Sequence, residues 1–478
     1  MNSTPGKKKL IRDISANTLQ TVITQVFGLM IFYFTSKYLI KDDFGDFNWC
    51  MAVCSTLIAI SSLGLDLVFV KRIAHGKDVL VMSGIHFFHT LLVALILGVG
   101  IFFVQQFVPS FTNRYPFFFY VFLNLAIANV ANSFKLCLNG LEAYKHLALI
   151  SLCVNLIKFT LILLLYLLGY FTILNVVFAY TVTSLIEFVL GYLLINKNLS
   201  APVKPLLRIT DYKYFILESL PQLGVVLFDS ALARIDWILL GLISTLAATA
   251  EYSFAYKVFE ISKLPLLIIA PVLLTRFSKL FKNEEEITLK QKEEINFFFK
   301  LEMFAIMIIP VFLISSWTPL VDYFTNNKYG AVNETNFRIL AACIPLHAVI
   351  NFLWTLGFVQ GQLKPILIIT IIVSVLNIVA NAILIPLYSA TGSSLAFLIC
   401  TLIQLALYLK YIDQSKIKIS AGPAVLSFFT ALGAIVLSVN LINSVIFATL
   451  AALSVYVGLT FVTRQISLRQ IKKILLEK

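Results

Sequence analysis

The stretch that decides the fold runs from Glu218 to Lys263 and reads ESLPQLGVVLFDSALARIDWILLGLISTLAATAEYSFAYKVFEISK. It contains two long apolar runs, and charged residues lie inside both of them. A charged side chain at the centre of a membrane helix costs roughly 2.5–3.5 kcal/mol even on the milder insertion scales. Such residues usually face a protein interior or a wet cavity. The stretch therefore predicts a membrane protein with a polar path through it.

The composition of the whole chain supports an integral membrane protein. Of its 478 residues, 59% are hydrophobic and only 13% are charged, and the mean hydropathy is +0.91. Soluble domains are usually about 45–50% apolar and about 25% charged. The six cysteines lie inside apolar runs without paired spacing, which favours small core residues over disulfides or a metal site. The sequence has no G-x-x-x-x-G-K-[ST] loop, so we expect no ATP binding by the chain itself. No cofactor is expected either.

Apolar runs predict an all-α polytopic membrane fold with about 14 transmembrane helices, because about 20 mostly apolar residues are needed to cross a bilayer. The first run is too long for the apolar part of a signal peptide and is predicted to be a retained helix. The spans are predicted at residues 11–38, 45–72, 79–107, 116–140, 146–169, 171–196, 214–243, 247–275, 295–320, 334–361, 365–387, 391–411, 419–441 and 443–465.

The distribution of cations predicts the orientation. With a cytoplasmic N-terminus, 28 Lys and Arg residues fall in the inside segments and 5 in the outside segments. Cytoplasmic loops carry such an excess of Lys and Arg in multi-pass membrane proteins. Both termini are therefore predicted to be cytoplasmic, in a chain whose net charge is +13.

A weak internal symmetry predicts two parallel repeats. Gly140 precedes Asn155 by 15 residues, and Gly361 precedes Asn377 by 16. Transporters are often built from such repeats, with the substrate site at the repeat interface. The predicted parts are an N-terminal lobe of helices 1–6 (residues 1–196), a cytoplasmic linker (197–213), a C-terminal lobe of helices 7–12 (214–411), and helices 13–14 with a basic cytoplasmic tail (412–478).

Polar residues in the first, fifth and sixth spans are candidates for a cavity wall. Asn17 and Gln20 belong to a polar stripe that indicates either a cavity wall or a helix–helix interface. Lys158 lies in the middle of the fifth span with Asn155 on its face, and Glu187 lies at a similar depth in the sixth. Either Lys158 and Glu187 form an ion pair between two helices, or Lys158 faces a cavity and an anionic substrate.

The seventh span carries acids on one face and a cation elsewhere. Glu218, Asp229 and Asp236 fall within about 40° of one another on a helical wheel, whereas Arg234 lies about 160° from Asp236. Buried carboxylates of this kind are candidates for binding a coupling ion or a proton. Arg234 is a candidate for binding an anion.

The eighth span carries charges three residues apart and an aromatic stripe. The spacing of Lys257, Glu260 and Lys263 makes local ion pairing plausible. Tyr252 and Tyr256 share one face, which suits contact with a sugar but also suits an ordinary core. We therefore consider Lys257 and the two tyrosines as substrate candidates, and Glu260 with Asp229, Asp236 and Glu187 as coupling-ion candidates.

Four local motifs together carry a family resemblance. They are LIKDDFGDF (39–47), LGLD (63–66) followed by KRIA (71–74), LNGLEAYK (138–145), and YSFAYK (252–257) after Asp236 and Gly241. In their order and spacing the chain resembles the polysaccharide flippases of the Wzx type, within the multidrug/oligosaccharidyl-lipid/polysaccharide (MOP) exporter superfamily. The resemblance covers nearly the whole chain and includes the number of spans.

The resemblance implies two six-helix lobes around a central cavity that opens alternately to either side. It implies a substrate linked to undecaprenyl pyrophosphate, moved from the cytoplasmic to the outer leaflet of a bacterial inner membrane for O-antigen, capsule or exopolysaccharide synthesis. Arg and Lys commonly bind the pyrophosphate in this family, a role that would fall here to Lys158, Arg234 and Lys257.

Several functions are compatible with both the family resemblance and the candidate residues. A lipid-linked-glycan flippase is the leading hypothesis; the alternatives are a cation-coupled multidrug exporter and a lipid II flippase. A polysaccharide polymerase or ligase would need a large outside loop, and the longest one, about 321–333, is short, so no enzyme activity is expected. The expected partners are the bilayer, the lipid-linked oligosaccharide and other polysaccharide-assembly membrane proteins, with no nucleic acid.

Overall fold

A computed structural model of the chain describes residues 23–76, 78–199, 201–266, 273–274, 277–278, 281, 288–415, 422–463 and 465. Every regular element within these ranges is a helix. Contacts between Cα atoms divide the chain into two compact units, Met1–Gly241 and Leu242–Lys478. The division into two pseudo-symmetric six-helix lobes stays a prediction.

The first unit consists of helices that pack on a core of buried aromatic and aliphatic side chains. Phe69, Ile85 and Phe134 are among its fully or almost fully buried residues. Its helices are α1 (the described part, 23–38), α2 (Lys41–Ser61), α3 (Leu65–Ala74), α4 (Val79–Phe107), α5 (Pro109–Arg114), α6 (Phe118–Gly140), α7 (Tyr144–Leu167), α8 (Ile173–Asn198) and α9 (Ile209–Ile243, the last two residues of which fall in the second unit).

The second predicted span is broken rather than continuous. A single helix was predicted over 45–72, but α2 ends at Ser61 and α3 begins at Leu65. Leu63 and Gly64 between them have φ angles of 53° and 73°, in the left-handed region where a right-handed helix cannot continue. A Cβ on Gly64 would stand 2.7 Å from Cβ of Gln222 in α9, so the break is closely packed. Glycine is therefore required at this position.

The second unit contains long helices with a second break. Ser389 has φ 51° and ψ −126° inside α13, which separates two helical halves where the eleventh and twelfth spans were predicted. The helices of this unit are α10 (Leu246–Ser262), α11 (Leu289–Thr325), α12 (Gly330–Val359), α13 (Leu363–Tyr411), α14 (Gly422–Leu441) and α15 (Val445–Val462).

Ten of the helices within the described ranges are long and apolar enough to cross a membrane. They confirm the prediction of an all-α, multi-pass membrane protein. The count of fourteen spans stays a prediction.

Candidate functional site

Lys158 in α7 lies against an aromatic ring rather than a carboxylate. Its Nζ atom is 4.7 Å from the ring centroid of Tyr180 in α8. No carboxylate lies within 4 Å of this amine among the residues that the structure describes. Asn155, one turn earlier, donates its side-chain N–H to the Ser151 carbonyl at 2.7 Å. Within the described residues, Lys158 is therefore a partly buried amine with no carboxylate at ion-pair distance, and the Glu187 carboxylate acts on it only from farther away.

Glu187 in α8 pairs with a different lysine from the one that the sequence suggested. Its Oε1 atom accepts a hydrogen bond from Lys135 of α6 at 2.6 Å, and the two side chains are 15% and 28% exposed. One alternative predicted a direct ion pair between Lys158 and Glu187. That alternative is wrong, because the lysine within ion-pair distance of Glu187 is Lys135. The sequence position gave the depth of Lys158 and Glu187 along their helices, but it could not show that a third helix lies beside them. In the structure α6 packs closely on α8 and brings Lys135 to Glu187.

Arg234 in α9 also lies over an aromatic ring. Its guanidinium carbon is 4.6 Å from the ring centroid of Trp237, and its buried Nη1 atom has no hydrogen-bond partner within the described part of the chain. An Arg guanidinium presents N–H groups in a planar fork that matches carboxylate and phosphate geometry. Arg234 thus has at least one guanidinium nitrogen without a protein acceptor among the described residues.

The structure describes the side chains of two of the three acids predicted on the seventh span. Asp236 is 2% exposed, and its Oδ1 atom accepts the backbone N–H of Trp237 at 2.9 Å. Glu218 pairs with Arg72 of α3. Asp229 belongs to α9, but its side chain lies outside the description, as do Asn17 and Gln20 altogether.

The candidates of α10 are either buried or paired. Tyr252 and Tyr256 are 0% and 6% exposed, with ring centroids 5.8 Å apart. Lys257 donates to Oε2 of Glu260 at 2.8 Å, and each side chain is about one-third exposed. The charge of Lys257 is therefore offset within its own helix, as the spacing of three predicts.

Lys135 and Glu302 are charged residues inside helices that the sequence patterns did not single out as candidates. Lys135 lies near the end of α6 and donates to Glu187. Glu302 in α11 is 0% exposed, and neither of its carboxylate oxygens makes a hydrogen bond within the described residues. A lone acid inside the apolar run 295–320 is the signal that could have identified it, because burial of an unpaired carboxylate is costly.

Comparisons with known proteins identify a related family and a shared fold. A family model described as a polysaccharide biosynthesis protein matches residues 10–281, which is more than half of the chain. No curated protein sequence matches the chain. Several solved structures do match, all with sequence identities between 14% and 17%.

Three of these structures illustrate the likeness. The lipid II flippase MurJ, in an inward closed conformation, has a TM-score of 0.72 at 14% identity and covers 93% of this chain and 98% of its own. An inward-facing multidrug resistance MATE family transporter of the MOP superfamily has a TM-score of 0.63 at 15% identity, covering 84% and 98%. A MOP superfamily transporter from Pyrococcus furiosus has a TM-score of 0.55 at 15% identity, covering 87% and 99%.

At these identities the likeness shows the fold alone. The fold is that of the MOP flippases and exporters, which confirms the resemblance stated from the four sequence motifs.

Proposed function

This chain belongs to the polysaccharide biosynthesis protein family, and from that premise we propose that it flips a lipid-linked oligosaccharide across the membrane. The cargo is a repeat unit on undecaprenyl pyrophosphate. It moves from the cytoplasmic to the outer leaflet of a bacterial inner membrane by alternating access, with both termini of the chain in the cytoplasm. The cargo is carried without chemical change, so the protein is a transporter rather than an enzyme.

The observation that carries the proposal is the state of two cations in the first unit. Among the described residues, the buried Nη1 atom of Arg234 has no acceptor, and Lys158 lies against an aromatic ring with no carboxylate within 4 Å. A pyrophosphate offers several anionic oxygens, which are good acceptors for such charged donors. We assign Arg234 and Lys158 to the pyrophosphate group of the cargo.

The remaining candidates are assigned by their chemistry. Asn155, Asn17 and Gln20 are proposed as hydrogen-bonding groups for the glycan, because each sugar hydroxyl that leaves water needs a partner. Tyr252 and Tyr256 are proposed as aromatic surfaces that the sugars reach in another state of the transport cycle. Lys257 is a secondary candidate for the pyrophosphate, available only when Glu260 releases it.

The acidic candidates are proposed for coupling rather than cargo. Asp236 is buried in α9, and Asp229 is on the same predicted face of that helix. Glu187 and Glu260 each hold a lysine, and exchange of that lysine for a proton or a cation is the proposed coupling step.

Reconstituted vesicles test the proposal directly. Purified full-length protein is placed in liposomes with a fluorescent undecaprenyl-pyrophosphate-linked oligosaccharide, and a membrane-impermeant quencher reports the outer leaflet. We expect quenching of the inner-leaflet pool at a rate well above that of protein-free vesicles. A rate equal to that of empty vesicles would overturn the proposal.

The same vesicles separate the alternative functions. MurJ, whose fold this chain shares, is a lipid II flippase, so fluorescent lipid II is the second substrate. A cationic dye is the third, as a probe for multidrug export. Preference for lipid II over longer glycans, or dye transport without glycan flipping, would replace the proposed cargo.

A further inference from the structure

The break between α2 and α3 is held by two histidines of α4. A broken helix leaves backbone groups without helical partners. At this break the Ser61 carbonyl oxygen is within hydrogen-bond distance of Nε2 of His89, at 3.1 Å. On the other side of the break, Nε2 of His86 is 3.0 Å from Oδ1 of Asp66 in the first turn of α3. Broken membrane helices are frequent places for ion sites in transporters.

His86 is part of a hydrogen-bonded row that runs inward from Asp66. Its Nδ1 atom is 3.0 Å from Oγ of Ser133 in α6, which in turn is 3.1 Å from Oγ1 of Thr90. The imidazole stacks on Phe69 with ring centroids 4.4 Å apart, which fixes its plane. The row therefore connects α3, α4 and α6.

Counting hydrogens in this row shows how many protons it holds. The Thr90 hydroxyl donates to the Phe87 carbonyl at 3.0 Å, so the contact between Thr90 and Ser133 uses the hydrogen of Ser133. Nδ1 of His86 must then donate to Ser133.

The contact between Nε2 of His86 and Asp66 still needs a hydrogen of its own. Either His86 is an imidazolium that donates this hydrogen to an ionised Asp66, or Asp66 is a carboxylic acid that donates it to a neutral His86. Both arrangements hold one proton more than an ionised Asp66 beside a neutral His86. The complete row of hydrogen bonds exists only with that additional proton.

We propose that Asp66 and His86 form a reversible proton-binding site that links the broken helix to α4. His86 is 1% exposed, whereas the side chain of Asp66 is 35% exposed, so the proton enters and leaves through Asp66. When the proton leaves to water, Ser133 turns its hydroxyl to Nδ1 of His86, and the single hydrogen of the Thr90 hydroxyl then serves either Ser133 or the Phe87 carbonyl but not both. The site deepens the proposed function, because it makes flipping dependent on a proton.

The groups around the pair form a defined electrostatic setting. His89 binds Tyr212 of α9 at 2.9 Å between Nδ1 and the hydroxyl. Arg72 of α3 donates to Oε2 of Glu218 in α9 from Nε and Nη2, at 2.9 and 2.5 Å. From α6, the neighbouring titratable group is the Cys137 thiol, which accepts from the Ser83 hydroxyl. The charge of Arg72 is thus offset, and the additional proton belongs to Asp66 and His86.

Histidine NMR tests the proton site without any substrate. The chain has five histidines, so each resonance of the full-length protein in nanodiscs can be assigned by one His→Gln variant. We expect the His86 signal to respond to pH and this response to differ in Asp66→Asn. His75→Gln, at an exposed position outside the row, is the matched control and should leave the pH response of the His86 signal unchanged. A His86 signal that does not titrate, or that ignores Asp66→Asn, overturns the proposal.

Flipping under an imposed pH gradient tests the coupling. For the wild type and His75→Gln we expect the gradient to change the rate of glycan flipping about fivefold or more, in the range of ordinary coupling between sites. In Asp66→Asn and His86→Gln the ratio of rates with and without the gradient should fall to about one. A ratio that persists in both variants overturns the coupling. A wild type that flips no glycan refutes the proposed function instead, and the NMR titration then decides on the proton site alone.

Discussion

Two kinds of cation occur in the helices of this protein, and their surroundings differ. Lys135 and Lys257 lie against the carboxylates of Glu187 and Glu260 at 2.6 and 2.8 Å. Lys158 and Arg234 lie instead over the rings of Tyr180 and Trp237 at 4.7 and 4.6 Å. The first kind has a carboxylate within ion-pair distance, and the second has none within that distance among the residues that the structure describes.

A cation over an aromatic ring and a cation paired with a carboxylate differ in the energy that binding of a further anion would cost. A cation over an aromatic ring gains about 0.5–2 kcal/mol but is not neutralised. A phosphate that approaches Arg234 or Lys158 need not displace a carboxylate first. An approach to Lys135 or Lys257 would leave a partly buried Glu without its partner, which is costly. The comparison therefore predicts that substitutions of the four cations have different consequences.

The largest effect is expected for Arg234→Ala. A hydrogen bond to a charged group contributes about 1.5–3 kcal/mol, so loss of the guanidinium should slow flipping about 10- to 100-fold. The measurement is the initial flipping rate of the lipid-linked glycan in vesicles, with equal amounts of folded protein.

Arg234→Lys is the matched control for charge. Lysine keeps the charge but lacks the planar fork, so we expect only partial recovery of the rate. Full recovery would show that Arg234 acts as a point charge, and an unchanged rate in Arg234→Ala would remove it from the binding site.

A smaller effect, about tenfold, is expected for Lys158→Met. Methionine keeps the apolar stem beside Tyr180 and removes the ammonium group, so the loss reports the charge alone. Tyr180→Phe retains the ring and serves as the control, with a flipping rate close to that of the wild type. If Lys158→Met flips as fast as Tyr180→Phe, Lys158 does not contact the pyrophosphate.

The sequence predicted the class of fold and some of the neighbours, and the failures have physical causes. Hydropathy located the spans because a membrane requires long apolar helices. It did not reveal the break at Leu63 and Gly64, since local backbone reversal leaves the hydropathy of a run unchanged. The SSLG run at 61–64 carried the available signal, a glycine at the end of a helix.

The pairing of charges was predictable within one helix but not between helices. Lys257 and Glu260 are three residues apart and do pair, because one turn of helix brings them together. One of the two alternatives for Lys158 paired it with Glu187 of the adjacent span, but the direct partner of Glu187 is Lys135 of α6. Helical periodicity shows which residues share a face of one helix. It does not show which other helix packs against that face.

Stability should reveal the role of the pair formed by Lys135 and Glu187. Lys135→Met leaves a mostly buried carboxylate without its donor, so we expect the free energy of unfolding to fall by about 1–3 kcal/mol. The double variant Lys135→Met/Glu187→Met should recover much of this loss, because removal of both charges leaves none unpaired. Thermal unfolding in nanodiscs measures both. A double variant less stable than Lys135→Met would show that Glu187 stabilises the fold through contacts other than Lys135.

The smallest effect is expected for the pair in α10. Lys257 and Glu260 are each about one-third exposed, and pairs of this kind contribute about 0.2–1 kcal/mol. A double-mutant cycle with Lys257→Met and Glu260→Gln, measured by thermal unfolding, should therefore give a small coupling energy. If Lys257→Met slows flipping as much as Arg234→Ala, Glu260 releases the lysine during transport. The paired and unpaired cations would then both bind the cargo, and the neutralising carboxylate would be a switch rather than a permanent partner.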